Sequence, residues 1–208
     1  AADLWRVAAR AGMVPGVLRW YVRNALGDFA RVTRDLPAPV RLTLPFAAPA
    51  LASEGFVGTV AELLAEQRLA REAVAIEIPV QVLERDAPTL TPRLRSLSAE
   101  RVRLELSGVG AGNLPLEALT DFAWSGWKLD SYVVHTARAR PAVGALVAGL
   151  LALARQMNVV SIAEQVDDPL DLTWLGLRRC DLAQGAALRR PVPADQLGAL
   201  VAELRKSV

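Results

Sequence analysis

From residue 40 onward one pattern recurs: a short β-branched or alternating run, a turn, and then a stretch with helical periodicity. The strand-like runs cover residues 40–44, 73–80, 101–107 and 127–134, a run through Val159, Val160 and Ile162, and residues 182–187. Helical patterns fall at 56–67, 90–99, 116–122, from Ala142, through Leu172, Trp174, Leu175 and Leu177, and after Arg190-Pro191-Val192-Pro193. Two helical segments, 4–11 and 15–34, come first; Pro15 suits a first helical turn, and Val17, Trp20, Tyr21, Ala25 and Phe29 approximate one apolar face. Six strand–helix repeats of roughly 25 to 40 residues imply a parallel sheet with right-handed crossovers. An eight-stranded barrel takes about 200 to 250 residues. The chain therefore reads as α/β, a (β/α)8 TIM-barrel-like fold without its first two strands. An open doubly wound sheet is the structural alternative, but no glycine-rich phosphate loop follows a first strand. The Gly108–Asn113 loop lacks the G-x-G-x-x-G spacing and is followed by a short Pro-containing segment.

A chain of 208 residues suits a single domain, 1–208, with a substantial core. Its hydrophobic content of 52% and net charge of +2 exclude a disordered or acidic solvating role. Basic and acidic residues are interspersed, which argues against nucleic-acid binding despite the basic pI. The longest apolar run, 142–154, is too short to cross a bilayer. The first residues read as an amphipathic helix rather than a signal peptide. A lone cysteine, Cys180, excludes an internal disulfide and a cysteine-rich metal site, and suits a reducing, cytoplasmic setting.

Polar residues collect where strands end. Glu164 follows the Val160 run with Asp167-Asp168-Pro169 beyond it, and Gln184-Gly185 and Arg190 come after the next strand. In parallel α/β folds ligands sit at such ends. The motifs here resemble those of the EAL-type cyclic-di-GMP phosphodiesterase family. Ser161-Ile162-Ala163-Glu164-Gln165-Val166-Asp167 is similar to its V-A-E-G-V-E segment. Cys180-Asp181-Leu182-Ala183-Gln184-Gly185 with Arg190-Pro191-Val192-Pro193 is similar to C-D-x-x-Q-G-(x)4-R-P-x-P. Trp127-Lys128-Leu129-Asp130 resembles L-K-I-D, Gly110-Ala111-Gly112 the end of D-D-F-G-T-G, and Val14-Pro15 with Arg19-Trp20 an early helix.

The resemblance implies a (β/α)8 barrel that linearises a cyclic dinucleotide with Mg²⁺ or Mn²⁺, and it also marks what is missing. The Glu-Ala-Leu strand, with one metal ligand, would precede Ala1, so the domain reads as N-terminally incomplete. The metal-binding asparagine falls at Pro45 and the aspartate pair at Ser107-Gly108. Glu77 matches a metal glutamate, but Pro79 and Val80 replace the Thr and Glu after it. Glu164 is kept, followed by Gln165 instead of Gly, and Asp167 replaces a longer Glu. Two-metal hydrolysis needs several hard oxygen ligands around ions about 3.5 to 4 Å apart. Two glutamates do not meet that need. No metal or cofactor is expected, and Glu77, Lys128, Asp130, Glu164 and Asp167 read as vestigial catalytic positions.

Lys128 has two readings, the family's electrostatic group near the attacking water or an ion pair with Glu77 or Glu164, and the second is favoured. Asp130 reads as a hydrogen-bonding support. His135 lacks a nucleophile motif around it and reads as a surface or helix-start residue, Cys180 as a small semi-buried one. Trp124, Trp127 and Trp174 could stack on bases, although packing is the commoner use. Arg189-Arg190 face a phosphate at the last helix's start or form a solvated pair. The expected function is a non-catalytic regulatory domain of cyclic-di-GMP signalling acting through protein contacts. A receptor that holds the dinucleotide through Glu164, Gln184, Gly185 and Arg190 is one alternative. A metal-dependent phosphodiesterase completed by further segments is the other. A protein partner or homo-oligomer is expected over the exposed edges at 41–44 and 182–187.

Overall fold

The computed structural model describes residues 2–34, 40–111 and 116–206. Two helices, α1 (Ala2–Arg10) and α2 (Val14–Thr33), precede strand β1 (Leu42–Pro45). Then come α3 (Ala48–Leu51), α4 (Phe56–Glu66), β2 (Val74–Pro79), α5 (Val80–Ala99), β3 (Arg103–Val109), α6 (Leu116–Thr120) and β4 (Trp124–Leu129). The order continues with α7 (Ser131–Ala137), α8 (Pro141–Gln156), β5 (Val160–Ala163), α9 (Pro169–Leu177), β6 (Leu182–Ala183) and α10 (Leu197–Lys206). The six strands form one sheet in the order β1-β2-β3-β4-β5-β6. Strand neighbours in chain order with helices between them are the α/β arrangement of a TIM-like barrel wall.

The chain forms two compact units. One comprises Ala1–Ile76, Thr89–Arg103 and Pro191–Val208; the other comprises Glu77–Pro88 and Leu104–Arg190. The first is centred on aromatic rings. Trp5, Tyr21, Phe46 and Phe56 meet in a chain of contacts with centroids 5.0 to 5.8 Å apart, mostly edge to face. Such pairs add about 0.5–1.5 kcal/mol each beyond their burial. The buried face of α2 is Leu18, Val22, Leu26 and Phe29, and Trp20 is 60% exposed. Of the face anticipated through Val17, Trp20, Tyr21, Ala25 and Phe29, Phe29 is buried as expected, and the rest of the buried row begins one residue later, at Leu18, in an i, i+4, i+8 series.

In the second unit β3, β4, β5 and β6 pair in parallel. Ser107 lies beside Lys128, Lys128 beside Ile162, and Ile162 beside Leu182. Gly144 lets α8 close on α7, since a Cβ there would stand 2.8 Å from the Ala137 carbonyl oxygen and 3.4 Å from Trp174.

Several boundaries differ from the sequence pattern. The run 127–134 is not one strand: β4 ends at Leu129, and Asp130 caps α7 by accepting a bond from the Tyr132 N–H at 2.8 Å. Val133 and Val134 carry strand propensity, yet both are buried on one helical face, where packing overrides it. The helix anticipated at 90–99 begins at Val80 and bends at Asp86. Gly108 and Val109 belong to β3 rather than to a loop, and Gly112 and Asn113 lie outside the described residues. Strand β6 is two residues long, not 182–187. Residues 190–193 do not open the last helix; a 3₁₀ turn at Ala194–Gln196 precedes α10.

Five helices end alike. After α1, α4, α5, α8 and α9 one residue turns left-handed: Gly12, Arg68, Arg101, Asn158 and Arg179. In each case its N–H and the next N–H bond back to helix carbonyls, as in Arg68 to Ala65 and Leu69 to Leu64, or Arg179 to Gly176 and Cys180 to Leu175. This is the Schellman closure, which usually takes glycine. Three arginines adopt it here, each with a left-handed backbone cost of about 1–2 kcal/mol partly offset by a cation at the helix C-terminus. Replacing Arg68 or Arg179 by Gly should raise stability by about 0.5–1 kcal/mol, read from urea unfolding. Gly12→Ala should lower it by a similar amount.

Candidate functional site

The site lies in the second unit, where β2, β4 and β5 end. Lys128 is 5% exposed on β4. Its ammonium donates to Glu77 Oε2 at 2.5 Å and lies 3.2 Å from Glu164 Oε1. A lysine in a strand between Trp127 and Leu129 is tolerable only with such partners. Burial alone works against its charge, but the Glu77 charge and hydrogen bond, joined by Glu164, outweigh burial and raise its pKa. Burial raises the pKa of Glu164, as do the like charges of Glu77 and Asp130; Lys128 only partly opposes them. Two carboxylates thus share one cation.

These shifts set the pH behaviour. Because the folded pKa of Lys128 lies above its ordinary 10.5, the stability it contributes is whole below that pH and fades as pH rises through the folded value. Glu164 runs the other way. Its ionised form costs stability above its raised value, and the cost is relieved as pH falls through that value.

The other positions that match the family's ligands are short of ligand groups. Ser107 is buried beside Lys128 and carries one hydroxyl. Gly108 has φ +79°, and a Cβ built there would sit 3.4 Å from the Gln81 amide nitrogen. In the first unit Pro45 is exposed at the end of β1 and offers no side-chain donor or acceptor. Among the described residues no three His, Cys, Asp or Glu side chains are grouped to hold a metal ion.

The other candidate residues have backbone duties. Asp130 is the cap of α7. Asp167 is exposed and accepts the Ala186 N–H at 2.8 Å. Gln184 is exposed, and its amide donates to Glu164 Oε1 at 3.4 Å. Gly185 lies against the Val166 backbone: a Cβ would stand 2.3 Å from that residue's nitrogen and oxygen. Gln165, at the position where the family has glycine, is left-handed with φ 52°. Arg189 and Arg190 are exposed, and in sequence they precede the 3₁₀ turn at Ala194–Gln196 rather than the first turn of α10. His135 lies in the last turn of α7 and Cys180 is half-buried, its thiol pKa raised by burial. Trp124 and Trp127 are buried, and Trp174 carries the Arg178 guanidinium 3.7 Å above its ring.

Two clusters escaped the sequence reading. Asp181 accepts from both the N–H and hydroxyl of Ser161, at 2.8 and 2.6 Å, pinning β5 to the start of β6. Arg138 joins Asp168 and Asp171. The first lay within a motif already quoted; the second joins residues 30 and 33 apart, with no local periodic signal.

The EAL domain profile matches residues 1–191, and the chain belongs to that family. An uncharacterised signalling protein of Caulobacter vibrioides is 28% identical over 94% of this chain and 24% of its own length. The probable cyclic di-GMP phosphodiesterase PdeN of Escherichia coli is 26% identical over 81% of this chain and 32% of its own. The chain therefore spans about a quarter to a third of these relatives. A solved structure of the PaMucR phosphodiesterase in complex with c-di-GMP, from Pseudomonas aeruginosa, superposes with a TM-score of 0.86 at 24% identity. It covers 94% of this chain and 79% of that one. Among the described residues no helix is long and apolar enough to cross a membrane.

Lys128→Met should destabilise the protein by about 3–5 kcal/mol by stranding two carboxylates. Adding Glu77→Gln and Glu164→Gln should recover most of the loss, as measured by thermal and urea unfolding. Gly185→Ala, forced onto the Val166 backbone, should cost more than about 3 kcal/mol or prevent folding.

Proposed function

We propose that this chain is a non-catalytic EAL domain that serves cyclic-di-GMP signalling, in the cytoplasm, through contacts with a protein partner. One observation carries the reading: the Lys128 ammonium lies between Glu77 and Glu164, the two family metal positions that retain carboxylates. A pair of Mg²⁺ or Mn²⁺ ions needs near-octahedral oxygen shells. To bind here they would displace an ammonium held at 2.5 Å and still lack the oxygens absent at Ser107 and Gly108. The residues present do not fit the family's metal pair, so no hydrolytic step is drawn through it. With 1–208 taken as one domain, the end strands β1 and β6 would be covered by a partner or a second copy.

A receptor that keeps the dinucleotide uncut is the second reading. The cyclic-di-GMP complex of PaMucR and the exposed Arg190 favour it. Charge opposes it. Two glutamates against one lysine leave the pocket floor net negative where phosphates would approach, and the Gln184 amide is already turned to Glu164. An active enzyme completed by further segments would still lack the Ser107-Gly108 carboxylates.

With Mn²⁺ and cyclic-di-GMP the chain should show no turnover above blank, and turnover like that of an active family member overturns the proposal. Calorimetry should show no binding at high micromolar dinucleotide, whereas saturable binding selects the receptor reading. Light scattering that finds a stable monomer alone would argue against the covered edges.

A further inference from the structure

Away from the carboxylate–lysine site, a second charged cluster joins α7 to α9. Arg138, the residue capping the end of α7, donates from Nε to Asp171 Oδ1 at 2.8 Å and from a terminal nitrogen to Asp168 Oδ2 at 2.7 Å. Asp168 also caps α9, accepting the Leu170 N–H at 2.8 Å. Asp171, in the first turn of α9, is 4% exposed, and its second oxygen faces His135 Nδ1 at 3.5 Å. That gap exceeds a good N–H···O bond.

The two joined helices begin at the site. α7 starts at Ser131 directly after Asp130, two residues beyond Lys128, and α9 starts at Pro169 after the segment that carries Glu164. This segment has little slack: Val166 donates to the Gln184 carbonyl and accepts from the Ala187 N–H, and Asp167 takes the Ala186 N–H. α8 packs closely beside the seam: a Cβ at Gly144 would stand 2.8 Å from the Ala137 carbonyl oxygen of α7 and 3.4 Å from Trp174 of α9. Close-packed elements pass on small shifts rather than absorbing them.

We propose that His135, Asp171, Arg138 and Asp168 form a proton-operated latch, in which protonating His135 tightens α7 on α9 and changes how Glu164 meets Lys128. Charge supplies the drive. Asp168 and Asp171 carry two negative charges and Arg138 one positive; an imidazolium balances the remainder. Other groups are few. Arg140 bonds the Tyr132 hydroxyl at 3.4 Å and, with Arg138, opposes a further cation. α8, packed on α7, carries no charged residue before Arg155. The inference holds whichever partner or ligand the domain takes, since it concerns only the coupling of the seam to the site.

The chain contains one histidine and two lysines, so NMR of the intact protein labelled on both can follow each member. The Lys128 ammonium signal should shift with the same midpoint as the His135 imidazole. In His135→Gln, an exposed change, that inflection should be lost while the signal itself persists. Asp171→Asn should decouple the two midpoints, with near-ultraviolet circular dichroism as the check on folding. An inflection unchanged in His135→Gln, or a Lys128 signal flat through the His135 titration, overturns the proposal. If Asp171→Asn unfolds, the His135→Gln titration decides alone.

Discussion

One buried ammonium between two carboxylates governs the second unit. Lys128 could not lie buried near the end of a strand, flanked by Trp127 and Leu129, without Glu77 and Glu164. The two half-buried glutamates in turn have the lysine as their shared cation. The mutual dependence is asymmetric. One cation serves two anions, and the burden falls on Glu164, whose pKa is raised by burial and by its neighbours. The Lys128 ammonium offsets that charge excess only in part.

The same economy runs through the polar groups around the pocket. Residues that resemble ligand-binding positions are committed to the backbone: Asp130 to the start of α7, Asp167 to the turn at Ala186, and Gly185 to the approach of Val166. Commitments of this kind preserve the shape of a pocket wall whatever chemistry it hosts. Family motifs can therefore persist through their folding role alone, and a retained motif is weak evidence for a retained reaction.

Much of the fold was legible because alternation of strand and helix is a local pattern. The sheet order follows from it once crossovers share one hand. What escaped was decided by contacts far along the chain or by single caps. Val133 and Val134 read as strand until Asp130 turns the chain into a helix. Residues 184–187 read as strand until Gly185 folds against Val166. At the site, the absence of carboxylates at Ser107-Gly108 was visible from the letters, as was the need of Lys128 for a partner. That it takes both glutamates, and that Arg138 reaches two aspartates on another helix, required three dimensions.

The left-handed arginines at the helix ends have a consequence of another kind. Arg68, Arg101 and Arg179 stand where a residue without a side chain would cost least, at helix-to-strand turns rather than at the strand ends that carry Glu77, Lys128 and Glu164. Latent stability is thus stored in residues other than those of the pocket. The polypeptide can drift in its surface chemistry at those turns, or be hardened there for laboratory use, without any compromise being forced on the pocket.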